Sequence, residues 1–166
     1  MKNLIIVIIA TFFVNISFAQ NRVIEQFYDK YTKLENVTEI DISGGLLNMV
    51  ASFSDDADTK ILEKVSKLRI LAIDDQSVID TQDKKALVKG LRSSKFEELM
   101  QIRDGKSKID FMVRESNNKI TNILMMVDDE DSFFMLSLEG NISWKDIEKL
   151  DINVDGAEHL KKMPKA

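Results

Sequence analysis

Cysteine is absent from the chain, and histidine occurs once, at His159. These two gaps remove a large share of enzyme chemistry. Ser-His-Asp and Cys-His catalysis would each depend on that single imidazole, and a zinc site built on two or more His or Cys ligands cannot form. There is no Gly-x-Ser-x-Gly elbow, no phosphate-cradling glycine loop and no dinucleotide fingerprint. The sequence therefore implies no cofactor and no recognisable catalytic constellation. With no disulfide available, the fold must rest on its apolar core. Proline is confined to Pro164, and no Pro/Gly-rich linker, low-complexity segment or internal repeat divides the chain.

Long apolar runs are also scarce, and the one that stands out is N-terminal. Lys2 precedes Leu4 to Val14, which is apolar apart from Thr11, and Ser17-Phe18-Ala19 puts small residues where a signal peptidase reads them. The run is shorter than the roughly 20 residues that span a bilayer. No cysteine follows it to carry a lipid. Residues 1–19 are thus expected to be a cleaved signal peptide, and residues 20–166 one domain, exported to the periplasm or beyond and not embedded in a membrane. Basic residues are outnumbered, 23 Lys and Arg against 28 Asp and Glu, for a net charge of −5. That balance argues against nucleic acid or an anionic membrane as partner.

Periodicity supplies the elements. Ile24, Phe27, Tyr28, Tyr31 and Leu34 recur at helical spacing, and Val37 to Ile42 alternates as a strand. Gly44-Gly45 ends that strand, a short helix follows through Phe53, and Leu68 to Ile73 forms a second strand. A strand, helices and a strand in this order predict a crossover with the two strands parallel. Asp80 and Asp83 mark the start of a helix carrying Leu87, Val88 and Leu91. Strand runs at 96–103, 108–115, 119–127 and 132–139 are then separated by Asp104-Gly105, Asn117-Asn118 and Asp128–Asp131, which predicts an antiparallel four-stranded meander. Ser143 caps a helix with Trp144, Ile147 and Leu150, and a weaker helical segment is expected after Gly156. The acidic runs Asp55–Asp58 and Asp128–Asp131 lack the spacing and glycine of a calcium loop and read as solvated turns. The fold class is α+β: a mixed sheet of about six strands, helices mainly on one face.

Several ordered blocks carry a family resemblance: Phe96-Glu97-Glu98-Leu99-Met100, Arg103 to Lys108, Ile120 to Val127, and Ser137-Leu138-Glu139-Gly140-Asn141-Ile142. Together they resemble the domain of unknown function 4252. The resemblance implies a small exported bacterial protein with no activity assigned, often lipid-anchored, whose genes lie near those for extracytoplasmic-function sigma factors. The missing leader cysteine departs from the lipid-anchored members.

The sharpest inference concerns strand register. A two-residue Asn117-Asn118 turn would pair Phe111 with Leu124, Met112 with Ile123 and Val113 with Asn122. One face then carries Phe96, Met100, Ile109, Phe111, Val113, Ile120, Leu124, Met126, Phe133 and Met135 as the helix-covered core. The opposite face holds Glu97, Gln101, Asp110 and Arg114 on the outer strands, yet also Met112, Ile123, Met125, Val127, Phe134, Leu136 and Leu138. A solvated sheet face should be polar. This apolar stripe needs covering: by the Trp144 helix or the C-terminal segment, by a protein partner or second copy, or by an apolar ligand. The leading expectation is a non-enzymatic interaction or sensing module of the cell envelope that binds a protein through Met112, Ile123, Met125, Phe134, Leu136 and Leu138. A periplasmic carrier of a small apolar ligand is the alternative. A carboxylate-dependent glycan hydrolase using Glu97 and Asp110 is the third reading.

Overall fold

The computed structural model describes residues 22–53 and 59–147. The leader, the first acidic run and the segment after Gly156 lie outside the described residues. Helix α1 spans Arg22–Tyr31 and buries Ile24, Phe27, Tyr28 and Tyr31 on one face, as its spacing predicts. Strand β1 (Val37–Ser43) runs directly into helix α2 (Gly44–Ser52). A 3-10 turn, Thr59–Lys64, leads to β2 (Val65–Ile73). Helix α3 spans Thr81–Ser93, and Asp80 caps it by accepting the Gln82 N–H at 2.7 Å. The meander follows as β3 (Phe96–Asp104), β4 (Ser107–Ser116), β5 (Lys119–Asp128) and β6 (Phe133–Ile142), and α4 begins at Trp144–Ile147.

The fold is α+β, with one open sheet of order β1-β2-β6-β5-β4-β3. The expected meander is present, and Asn117 and Asn118 both adopt positive φ, 52° and 60°, as a tight hairpin turn requires. The expected parallel pair is not. β1 and β2 are antiparallel neighbours, so every pairing in the sheet is antiparallel. The reason is local: α2 and the 3-10 turn fold back at one end of the sheet and act as a long hairpin connection. The true crossover is the α3 segment, which carries the chain from β2 to β3 at the far edge.

Helices consequently occupy both faces. On the inner face α1 and α3 bury Phe27, Tyr28, Tyr31, Leu87 and Leu91 against Leu71, Met112, Leu124, Phe133 and Met135. On the outer face α2, the 3-10 turn and α4 cover one end, around Leu47, Val65, Val113, Ile120 and Ile142. Asp83 ties the inner helices together by accepting from Lys30 and from the Tyr31 hydroxyl. Burial, then that bond, pushes the Tyr31 hydroxyl pKa up to about 12. Arg69 lies over the Tyr28 ring at 3.8 Å and donates from its two terminal nitrogens to Glu25 at 2.6 Å and Glu39 at 2.7 Å, which pairs the charge of a buried cation at the border of the core.

Two details anchor the outer end. Gly140 sits where β6 meets the start of β2, and a Cβ there would run into the Lys64 carbonyl, a backbone atom with no room to yield. Gly140→Ala is expected to lower unfolding stability by about 2 kcal/mol, read by urea denaturation; a change within error would show that the strands can part there freely. Asp146 accepts from Lys64 Nζ at 2.6 Å and from the Ser143 N–H and hydroxyl at 2.8 and 2.6 Å, joining α4 to the 3-10 turn. The Lys64 ammonium foremost, then Ser143, holds this carboxyl well below the usual carboxylate range. A depressed folded pKa adds stability above the unfolded value of 3.8 that is lost as pH falls toward the folded one. Asp146→Asn should therefore lower the melting temperature at neutral pH and converge on the wild type under strong acid. Parallel curves at every pH would dismiss the coupling.

Candidate functional site

The outer face of the sheet is built by three transverse rows of side chains, one residue from each strand. The first row runs Ile42, Leu68, Leu138, Ile123, Val113 and Glu97. The second runs Ile40, Ile70, Leu136, Met125, Phe111 and Met100. The third runs Thr38, Ala72, Phe134, Val127, Ile109 and Ile102. Only Thr38 and Glu97 are polar in all three, and both lie on edge strands. The first row is packed under α2, the 3-10 turn and Ile147. The other two remain accessible: Ile40 and Ile102 are 43% and 41% exposed, and Met125, Phe134 and Leu136 are half-buried between neighbouring strands. Six strands at about 4.8 Å spacing give this surface a width of about 24 Å.

Helix α2 extends the apolar surface beyond the sheet. Leu47 faces inward, whereas Leu46, Met49, Val50 and Phe53 project outward, with Phe53 85% exposed. Monomers rarely leave so much contiguous apolar area open.

Of the residues expected on this face, Ile123, Met125, Phe134, Leu136 and Leu138 lie there, and Ile123 and Leu138 belong to the covered row. Met112 does not. It pairs with Leu124 and is 1% exposed in the inner core. The cause is a bulge at Thr121: Glu115 pairs with Ile120 but Arg114 with Asn122, so one residue of β5 is unpaired and the register slips by one. That slip sends Phe111, Val113 and Ile109 outward and Met112 and Asp110 inward. Ile120, beyond the bulge, joins the outer cluster. A second irregularity, at Leu99, turns Met100 outward opposite Phe111. Glu97 pairs with Val113 and Asp110 with Met126, so the two carboxylates of the hydrolase reading point to opposite faces. Sequence alternation alone assigns Met100, Ile109 and Phe111 to the inner core and leaves Ile40, Ile70 and Ala72 unassigned, although the alternation of Thr38, Ile40 and Ile42 signals the first of these.

The second acidic run forms the β5–β6 turn, with three of its four side chains engaged. Asp128 accepts from Lys84 at 2.9 Å, Asp129 from the Ser107 hydroxyl at 2.7 Å, and Glu130 pairs with Lys106. Among the described residues no group of His, Cys, Asp and Glu is placed to hold a metal ion, and no helix is long and apolar enough to cross a membrane.

Register assigns opposite sensitivities to neighbouring methionines. Met112→Ala should cost about 3 kcal/mol as a core cavity, and Met125→Ala less than about 1 kcal/mol. Equal losses in chemical denaturation would contradict the slipped register.

Residues 28–150 match the sequence profile of a domain of unknown function, DUF4252. The match covers well over half of the chain, and the protein belongs to that family. No curated protein and no solved structure matches the chain.

Proposed function

We propose that this protein is an exported, non-enzymatic interaction or sensing module of the bacterial cell envelope that binds a protein partner through the outer face of its sheet. The observation that carries this reading is the inverted polarity of the sheet. The buried polar residues Arg69, Asp110, Arg114, Asn122 and Ser137 all belong to the inner face, whereas the accessible rows of the outer face are apolar except for Thr38 at one edge. A surface about 24 Å wide, continued by the outward side chains of α2, suits another protein better than a small ligand, which a concave pocket would enclose. Flexible Met125 and Met100 beside rigid Phe134 and Phe111 give such a surface adaptable and fixed contacts together. Export rests on Lys2, the Leu4–Val14 run and Ser17-Phe18-Ala19; absence of enzyme activity rests on the missing cysteine and lone His159.

Met125→Asp and Leu136→Asp place a charge in the second row without touching the inner core. Each should leave the melting temperature within a few degrees and abolish co-purification of a partner from envelope extract, or, if the partner is a second copy, abolish the dimer in sedimentation. Severe unfolding of both variants would instead identify the face as covered by the chain itself. A lipid-sized adduct in native mass spectra, lost in both variants, would favour the carrier reading.

A further inference from the structure

Helix α3 leaves the far ends of β3 and β4 uncovered on the inner face, and the space between them is a groove of about 820 Å³. Its walls carry Lys84, Lys85, Lys89 and Arg92 from α3, and Arg103 and Lys108 from the facing strands. Among the described residues two carboxylates line it, Asp110 and Asp128. Both are engaged: Asp110 accepts from Lys108 at 2.6 Å and Gln101 at 2.8 Å, and Asp128 from Lys84 at 2.9 Å and from Gln76. Arg92 reaches Glu98 at 3.2 Å, an exposed pair of small worth. Among the described residues, Lys85, Lys89 and Arg103 have no carboxylate partner. A chain of net charge −5 thus places three cations without a carboxylate partner in one groove. The floor between them is apolar, offered chiefly by the half-buried Val88 beside the buried Leu87, Met126 and Phe133.

We propose that this groove binds an extended acidic peptide segment of a partner protein, with carboxylates on the two basic walls and an apolar side chain on the floor. Cation spacing selects the ligand class. Lys85, Lys89 and Arg92 follow one another at three- and four-residue steps along a helix of 13 residues, and about 1.5 Å of rise per residue spreads them over about 10 Å. Arg103 and Lys108 face them from paired positions on β3 and β4. Charge distributed along two walls matches several anions in a row, whereas an amphiphile with one head group would use a single cluster. An extended chain advances about 3.3 Å per residue, so alternate acidic residues meet successive cations. Single-stranded nucleic acid fits less well, since it relies on accessible aromatic rings for stacking and Phe133 is only 3% exposed. The proposal does not depend on the outer face.

The test uses fluorescence anisotropy with the purified full chain and a fluorescein-labelled probe of sequence Glu-Asp-Leu-Glu-Phe-Asp-Glu. Saturable binding that weakens with added salt is expected, and the Lys85→Glu/Lys89→Glu double variant should weaken it about tenfold with an unchanged melting temperature. The milder Lys85→Gln/Lys89→Gln pair should move affinity in the same direction, and Leu136→Asp on the outer face should leave it alone. Absence of saturable binding, or equal affinity for both double variants and the wild type, would overturn the proposal. Equal binding of a probe with Ser replacing Leu and Phe, or of oligo(dT), would overturn it too, by reducing the groove to a general polyanion trap.

Discussion

One unpaired residue in β5 decides which side chains this protein shows to its surroundings. Strand side chains alternate strictly, so a single insertion exchanges the two faces of everything paired beyond it. Thr121 is that insertion, and its hydroxyl accepts from and donates to Arg114 on the opposing strand, at the point where pairing slips. The consequence runs the length of β4. Met112 enters the inner core between Leu124 and the helices, while Phe111 and Val113 turn outward. Without the slip, Phe111 and Ile109 would face α3, and Asp110 would interrupt the second accessible layer of the outer surface.

The sheet that results is apolar on both sides, but the two sides are built differently. The inner face is closed by α1 and α3, and the charged groups beneath them have partners at the border, while the Tyr28 hydroxyl, Arg69 Nε and Asn122 Nδ2 make no hydrogen bond. Arg69 is held by Glu25 and Glu39, Arg114 donates to Asn122, and Asp110 is held by Lys108 and Gln101. Burial of a charge without such partners would be severely unfavourable. Among the described residues the outer face has no comparable polar network, and its closure is by α2, the 3-10 turn and Ile147 at one end. Hydrophobic burial is nondirectional, so nothing in those rows dictates a unique covering geometry. A surface of that kind accommodates a partner by shape and area, with register supplied by the rim.

Much of the architecture could be read from the chain. Alternation and turn residues located the meander strands to within a few residues, because Gly105 and the Asn117-Asn118 pair tolerate positive φ and so fix two-residue hairpins. The apolar character of β6 on both sides was equally legible in Phe133 to Leu138. Register was not. A bulge has no sequence signature as strong as a turn, and Thr121 is an ordinary strand residue; only the three-dimensional fit of Ile120 into the outer cluster beside Ile142 explains it. Direction of the first two strands failed for a related reason. The segment from Gly44 to Lys64 is long enough for a crossover, and nothing in its periodicity says that it stays at one end of the sheet. Gly44 is the physical clue, since any side chain there would strike the backbone at Val65 and Ser66 where the connection folds back.

Net charge was the least informative property, because it averages over a surface whose signs are segregated. The acidic excess suggests an anion-repelling protein, yet α3 and the ends of β3 and β4 concentrate cations beside an apolar floor. Strand β4 links this groove to the opposite surface through its own alternation. Lys108 and Asp110 serve the groove, while Ile109 and Phe111 serve the outer rows. The same one-residue slip that removes Asp110 from the outer face delivers it to the groove, where it positions Lys108. Two surfaces of opposite chemistry are therefore consequences of a single register, and a change that restored regular pairing at Thr121 would exchange their side chains together rather than disturb either alone.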